Sequence, residues 1–172
     1  MVLDLILQAV WLIIPAYAAN GFPPLLKGST PLDRGRTFRG RRVFGEGKTI
    51  RGTIGGIAFG TIIGLIQITG QSYLPADLGL VEMSMPLVLL LTVGTMVGDI
   101  LGSFLKRQIG MERGASLPIV DQDGFVVFAL LLAALVYPAP IEHAIILMVI
   151  TPPIHLLSNI GGYLIHVKKQ PW

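Results

Sequence analysis

Cysteine is missing from this chain of 172 residues, so it has neither disulfides nor thiolate metal sites. Charge is scarce as well: 13% of the residues are Asp, Glu, Lys or Arg against 52% that are hydrophobic, and the apolar residues fall in long blocks. That balance excludes an ordinary soluble domain and defines a polytopic membrane protein. The first block lacks the basic n-region and small-residue cleavage site of a signal peptide, so it reads as a retained helix. A P-loop is lacking too. Gly45-Glu46-Gly47-Lys48-Thr49 looks like the end of one, but Arg42 stands where its first Gly belongs, and a basic loop replaces the buried strand that should precede it. The chain is therefore a poor candidate for a soluble nucleotide hydrolase.

The apolar blocks that are present cover residues 2–19, 52–69, 86–105, 125–137 extended back toward 118, and 141–167, each bounded by polar, Gly or Pro residues. At about 20 residues per crossing they predict an all-α protein of about five transmembrane helices. The fourth block is short for a span, which calls for a start in the preceding loop, a tilt or a thinned bilayer. The whole chain, 1–172, reads as one membrane-embedded domain with a basic loop at 21–51 and a second loop at 106–121. Five crossings gather all 13 Lys and Arg on one side, while the opposite loops carry Asp77, Glu82 and Glu142 and no basic residue. The positive-inside rule then places the N-terminus outside and the C-terminus in the cytoplasm of a multi-pass cell-membrane protein, with the charged end facing the cytoplasm.

Gly52, Gly56, Gly60 and Gly64 recur every fourth residue on the second helix, and Gly94, Gly98 and Gly102 do so on the third. Small residues at that spacing let helices approach closely in lipid, and they predict close packing of the second and third spans.

The chemistry concentrates in GDILGSFLKRQIGMERGASLPIVDQDG, residues 98–124. An acid inside an apolar span is costly and calls for a function or a partner, and Asp99 lies in the cytoplasmic third of its helix. Asp99, Ser103 and Lys106 follow an i, i+4, i+7 pattern on one face, with Arg107 alongside. A structural ion pair of Asp99 with Lys106 or another cation is the bland reading. The functional one is a metal and phosphate site completed by Asp121 and Asp123 across a Gly/Pro loop, where their bland reading is an acidic helix cap. In the loop 21–51, Lys48 and Arg51 stand at the N-terminus of the second span, where exposed N–H groups attract phosphate. The loop reads either as a lid over an anionic substrate or as a polybasic strip that grips anionic headgroups. On the fifth helix, His155 sits among Thr151, Ser158 and Asn159 after the Pro152-Pro153 break, a polar face that either satisfies freed backbone groups or lines the path of a lipid headgroup.

The run Asp99-x3-Ser103-x2-Lys106-Arg107, followed by a Gly-rich loop, Pro118 and Asp121, resembles the signature of the CTP-dependent phosphatidate cytidylyltransferases. Asn20-Gly21-x-Pro23-Pro24 and Phe44-Gly45-x2-Lys48-Thr49-x-Arg51-Gly52 are more similar to the archaeal branch, the CDP-archaeol synthases. Two departures from the bacterial pattern stand out: Leu117-Pro118-Ile119-Val120 replaces its His-Gly-Gly, and Asp121 and Asp123 are two apart instead of three. The resemblance implies that Asp99, Asp121 and Asp123 hold Mg²⁺ and that Asp99, Asp121 and Lys106 are catalytic. It also implies that Asn20, Lys27, Lys48, Arg51, Ser103, Lys106 and Arg107 bind substrate. The implied reaction transfers CMP from CTP to the phosphate of 2,3-bis-O-(geranylgeranyl)-sn-glycerol 1-phosphate and releases pyrophosphate. Membrane lipids are the surroundings, and no nucleic acid is involved. The rival from another class is a small transporter or channel that uses the buried acids and the broken fifth helix as a pathway. A CDP-alcohol phosphotransferase fits less well, because Asp123-Gly124 is not followed by Ala-Arg.

Overall fold

The computed structural model describes residues 2–26, 28–112, 115 and 117–167; Lys27, Arg113, Lys168 and Lys169 lie outside the described residues. Its helices are α1 (Val2–Gly21), the short α2 (Pro23–Leu26), α3 (Ile50–Gly70), α4 (Met85–Gln108), α5 (Pro118–Ala133) and α6 (Ile141–Leu164). Among the described residues four segments, α1 continued through α2, α3, α4 and α6, are long and apolar enough to cross a membrane. The fourth predicted span begins at Pro118 as expected but ends at Ala133. Its 16 residues reach about 24 Å at 1.5 Å per residue, short of a core of about 30 Å.

α1 and α4 form the centre. Leu12, Ile13 and Ala16 of α1 and Leu87, Val88 and Leu91 of α4 are wholly or almost wholly buried, and Val126 and Ala129 of α5 with Leu147 of α6 complete the core. The outward faces of α3 and α6 expose Ile54, Ile62 and Ile66, and Ile145, Val149 and Leu157. Apolar residues belong there when the surrounding solvent is lipid.

The two glycine stripes serve different neighbours, which refines the packing expectation. On α3, a Cβ built at Gly60 would stand 2.6 Å from the carbonyl oxygen of Pro15 and 2.7 Å from the Thr92 methyl, so this stripe fits the groove between α1 and α4. On α4 the stripe faces α5 instead: a Cβ at Gly94 would stand 2.5 Å from the carbonyl oxygen of Phe128. Backbone cannot yield as a flexible side chain can. Gly94→Ala is expected to cost about 1–3 kcal/mol by overpacking, read as a lowered Tm in detergent. Gly161→Ala, with nothing within 4 Å of the added carbon, should leave Tm unchanged.

The segment predicted as loop 21–51 carries more structure than its composition suggested. Beyond α2 it forms a hairpin of β1 (Thr37–Phe38) and β2 (Arg41–Arg42), with Phe38 opposite Arg41. Its two-residue turn, Arg39 and Gly40, has both φ angles positive, at 52° and 75°, the geometry that matches strand twist. The segment closes on itself where Pro31 bridges to Thr49, Leu32 N donates to the Lys48 carbonyl at 2.7 Å and Ile50 N donates to that of Thr30 at 3.1 Å. Lys48 therefore emerges from a fixed backbone.

Candidate active site

At the end of the bundle where α1, α3, α4 and α6 approach the hairpin segment lies a cavity of about 800 Å³. Tyr17 and Asn20 of α1, Met96 and Asp99 of α4, and Phe125 of α5 form its deeper walls. Glu46, Lys48 and Thr49 close the loop side. The opposite wall is the polar face of α6, with Thr151, His155, Ser158 and Asn159. Tyr17 Oη and Thr151 Oγ1, 2.8 Å apart, join two of these walls, and Asn159 Nδ2 lies 3.3 Å from His155 Nδ1. Pro152 and Pro153 sit inside α6 without ending it, and the polar face beside them lines the cavity. Ser158→Phe would fill part of that space. About a tenfold loss of turnover is expected from the misplaced ligand, with Tm unchanged because Ser158 is exposed to the cavity and solvent.

Lys48 Nζ donates to Asp99 Oδ2 at 2.5 Å, with about a quarter of each side chain exposed (25% and 28%). The partner of Asp99 is thus Lys48 and not Lys106. Thr49 caps α3, its Oγ1 accepting from Gly52 N at 3.0 Å, so Lys48 stands just ahead of the positive end of that helix. A cationic side chain, a helix N-terminus and a carboxylate therefore meet at one cavity wall.

The other predicted residues, Lys27 aside, lie outside this lining. Lys106 Nζ donates to Asp121 Oδ1 at 2.5 Å, and Asp121 Oδ2 accepts from Leu117 N at 2.8 Å, which steadies the start of α5. Ser103 is buried on α4. Arg107 Nη2 donates to the Glu112 carbonyl at 3.0 Å, and its stem packs under Gly45, which has a φ of 80°. Arg51 is exposed in the first turn of α3. Asp123 is buried, and its Oδ1 has no hydrogen-bond partner among the described residues. α4 and α5 touch closely at Gly98 and Gly124, one residue from Asp99 and Asp123 respectively. No group of three or more His, Asp or Glu converges among the described residues. A cation fully caged by protein is therefore not built there. Carboxylates in ones and twos, one with an unsatisfied buried oxygen, do fit Mg²⁺, which takes few protein ligands and completes its shell with water and phosphate.

Sequence reasoning passed over Asp33. It is buried and accepts from Arg42 Nη2 at 2.6 Å and Nε at 3.2 Å, and from the backbone N–H groups of Gly35, Phe44 and Gly45 at 3.0, 3.0 and 2.9 Å. The Arg42 guanidinium, helped by those N–H groups against the opposing effect of burial, holds the Asp33 carboxyl well below the usual carboxylate range. A usable signal was an acid inside a run of arginines, next to Pro31 and Gly35.

Fold and site together define an intramembrane protein with an ionised cavity at the basic end of a helix bundle. The family model described as CarS-like, CDP-archaeol synthase, matches residues 2–172, and the chain belongs to that family. It is similar to the CDP-archaeol synthase of Pyrococcus horikoshii, 44% identical over the full length of both chains. It is also 43% identical to that of Methanosarcina barkeri, over 93% of this chain and all of the relative. Among solved structures it is similar to an intramembrane enzyme for archaeal membrane lipids biosynthesis, with a TM-score of 0.78 and 34% identity over 90% of this chain and 94% of the other.

Proposed function

We propose that this protein transfers CMP from CTP to the phosphate of 2,3-bis-O-(geranylgeranyl)-sn-glycerol 1-phosphate, giving the CDP-activated ether lipid and pyrophosphate. The observation that carries the reading is the Lys48–Asp99 pair in the wall of the cavity, beside the N-terminus of α3 and opposite the polar face of α6. Family membership supports the chemistry, and the relatives lend no support to a transporter.

A lipid phosphate oxygen attacks the α-phosphorus of CTP as the bond to the β-phosphate oxygen breaks, and pyrophosphate leaves with that electron pair. The attacking phosphate is already ionised near pH 7, so no general base is needed. Catalysis is in-line positioning and neutralisation of charge on the transferring group. Lys48, with Arg51 and the N–H groups at the start of α3, takes the triphosphate; Asn20 and the α6 face around His155 orient the lipid headgroup. Asp99, Asp121 and Asp123 are the residues that would hold Mg²⁺, which when bound neutralises phosphate oxygens. Ser103, Lys106 and Arg107 support that acidic set from α4, Lys106 through Asp121. Lys27 belongs to the same basic segment.

The membrane arrangement follows from the same reading. With α5 counted as a short crossing, the chain spans five times as one domain, and the cavity, Lys48 and the hairpin lie on the cytoplasmic side, where Lys and Arg accumulate.

Supplying purified protein with the lipid phosphate and CTP labelled at either the α or the γ phosphorus tests the reaction. Label is expected in lipid from α-labelled CTP only, with γ label in pyrophosphate. Gamma label in lipid would identify a kinase, and lipid without label from either nucleotide would remove the proposal.

A further inference from the structure

The arginines of the hairpin do not face the cavity. Its lining takes Glu46, Gly47, Lys48 and Thr49 from this segment and no residue between 29 and 45. Arg42 points inward to Asp33, whereas Arg34, Arg36 and Arg39 are exposed. Arg41 donates to the Gln108 carbonyl at the end of α4, and Gln108 Nε2 donates back to the Arg42 carbonyl at 3.3 Å. Phe38, 49% exposed, and Phe44 stand 6.1 and 6.4 Å from the Phe104 ring, and the Arg39 guanidinium lies 5.4 Å from the centre of the Phe38 ring. The hairpin is thus fastened against the last turns of α4. There the neighbouring apolar residues Leu101, Leu105 and Ile109 are exposed.

A half-exposed aromatic ring beside three exposed guanidinium groups, one of them stacked on it, held at the charged end of an apolar helix, matches the boundary layer of a bilayer and not a soluble ligand pocket. Aromatic rings and long cationic side chains place their apolar parts inward and their polar ends among headgroups, and clustered arginines attract an anionic leaflet. We propose that the hairpin at 34–42 is a docking surface for the anionic headgroup layer of the membrane around the protein. Because Asp33 ties Arg42 and Gly35 to Phe44 and Gly45, anchoring the hairpin also steadies the segment that leads to Lys48. The inference rests on the membrane setting and is independent of the nucleotidyl-transfer reading.

The test varies the lipid around the unmodified full chain. In nanodiscs of phosphatidylcholine alone, or with a third of it replaced by phosphatidylglycerol, hydrogen exchange of the 34–42 amides is compared. Exchange is expected to slow several-fold in the anionic discs. High salt, which shortens the screening length to about 3 Å at 1 M, should remove that protection, as should the triple variant Arg34→Gln, Arg36→Gln, Arg39→Gln, whose Asp33–Arg42 pair is retained. Equal exchange in the two kinds of disc would overturn the proposal. So would protection given by CTP in phosphatidylcholine discs and not by anionic lipid, which would assign these arginines to the nucleotide.

Discussion

Asp99→Asn is expected to lower formation of the CDP-lipid by about a thousandfold or more, the scale on which an ionic group at a phosphoryl centre contributes. The substitution keeps size and shape. It removes the charge that holds Lys48 Nζ at 2.5 Å and an oxygen donor proposed for the metal. Because both partners are partly solvated, the fold should lose little, and Tm should stay within a few degrees of wild type. Lys48→Gln should cause a comparable loss. The double variant should be scarcely worse than either single one, because the two residues act as a unit. Retention of more than about a tenth of wild-type turnover by Asp99→Asn would not be compatible with its assignment to the reacting phosphates.

Asp33→Ala should produce the second largest effect, by a different route. Its side chain is fully enclosed and collects Arg42 and three backbone N–H groups, so truncation leaves several donors without an acceptor. Breaking a buried pair costs about 3–5 kcal/mol, and the partial exposure of Arg42 places the result toward the lower end of that range. The loss falls on the segment that carries Lys48, so KM for CTP should rise along with a fall in kcat, and amides between 31 and 47 should exchange faster while those of α4 do not. The pH dependence has a definite sign. The Asp33 carboxyl is depressed in the folded protein, so its contribution is complete above the unfolded value of about 3.9 and is lost as pH falls below it. Protection of this segment should therefore be flat from neutral pH to about 5 and decline only in stronger acid. A decline centred near neutrality, or an Asp33→Ala protein with normal exchange and normal KM, would show that the segment is held by something else.

Much of the helix layout could be read from hydrophobic blocks, because four of them are long, apolar and ended by Gly, Pro or charge. The fourth block was harder to end. Its apolar run continues to Tyr137, but the helix stops at Ala133 and the chain turns. The polarity of Asp99 singled it out as a functional candidate in the sequence, and spacing offered Lys106, with some other cation as the alternative, for its partner. Spacing records neighbours along one helix and not across the bundle, and the closure of the loop at Pro31 and Thr49 brings Lys48 there instead. Asp121 read as either a ligand or a cap, and its bond to Leu117 N gives it the helix-start role beside its pairing with Lys106. The glycine stripes signalled close packing but carry no address for the partner, which is why the α4 stripe turned out to face α5. Asp33 was passed over for a related reason: an acid among arginines looks solvated until the hairpin folds over it.

The central claim is that the cavity between Lys48, Asp99 and α6 is the site of nucleotidyl transfer. A structure of the protein with CTP and Mg²⁺ addresses it most directly. The triphosphate is expected beside Lys48 and the first turn of α3, with Asp99 on the metal side and the hairpin arginines away from the nucleotide. Triphosphate density seated on Arg34, Arg36 and Arg39, or anywhere else outside that cavity, would contradict the account.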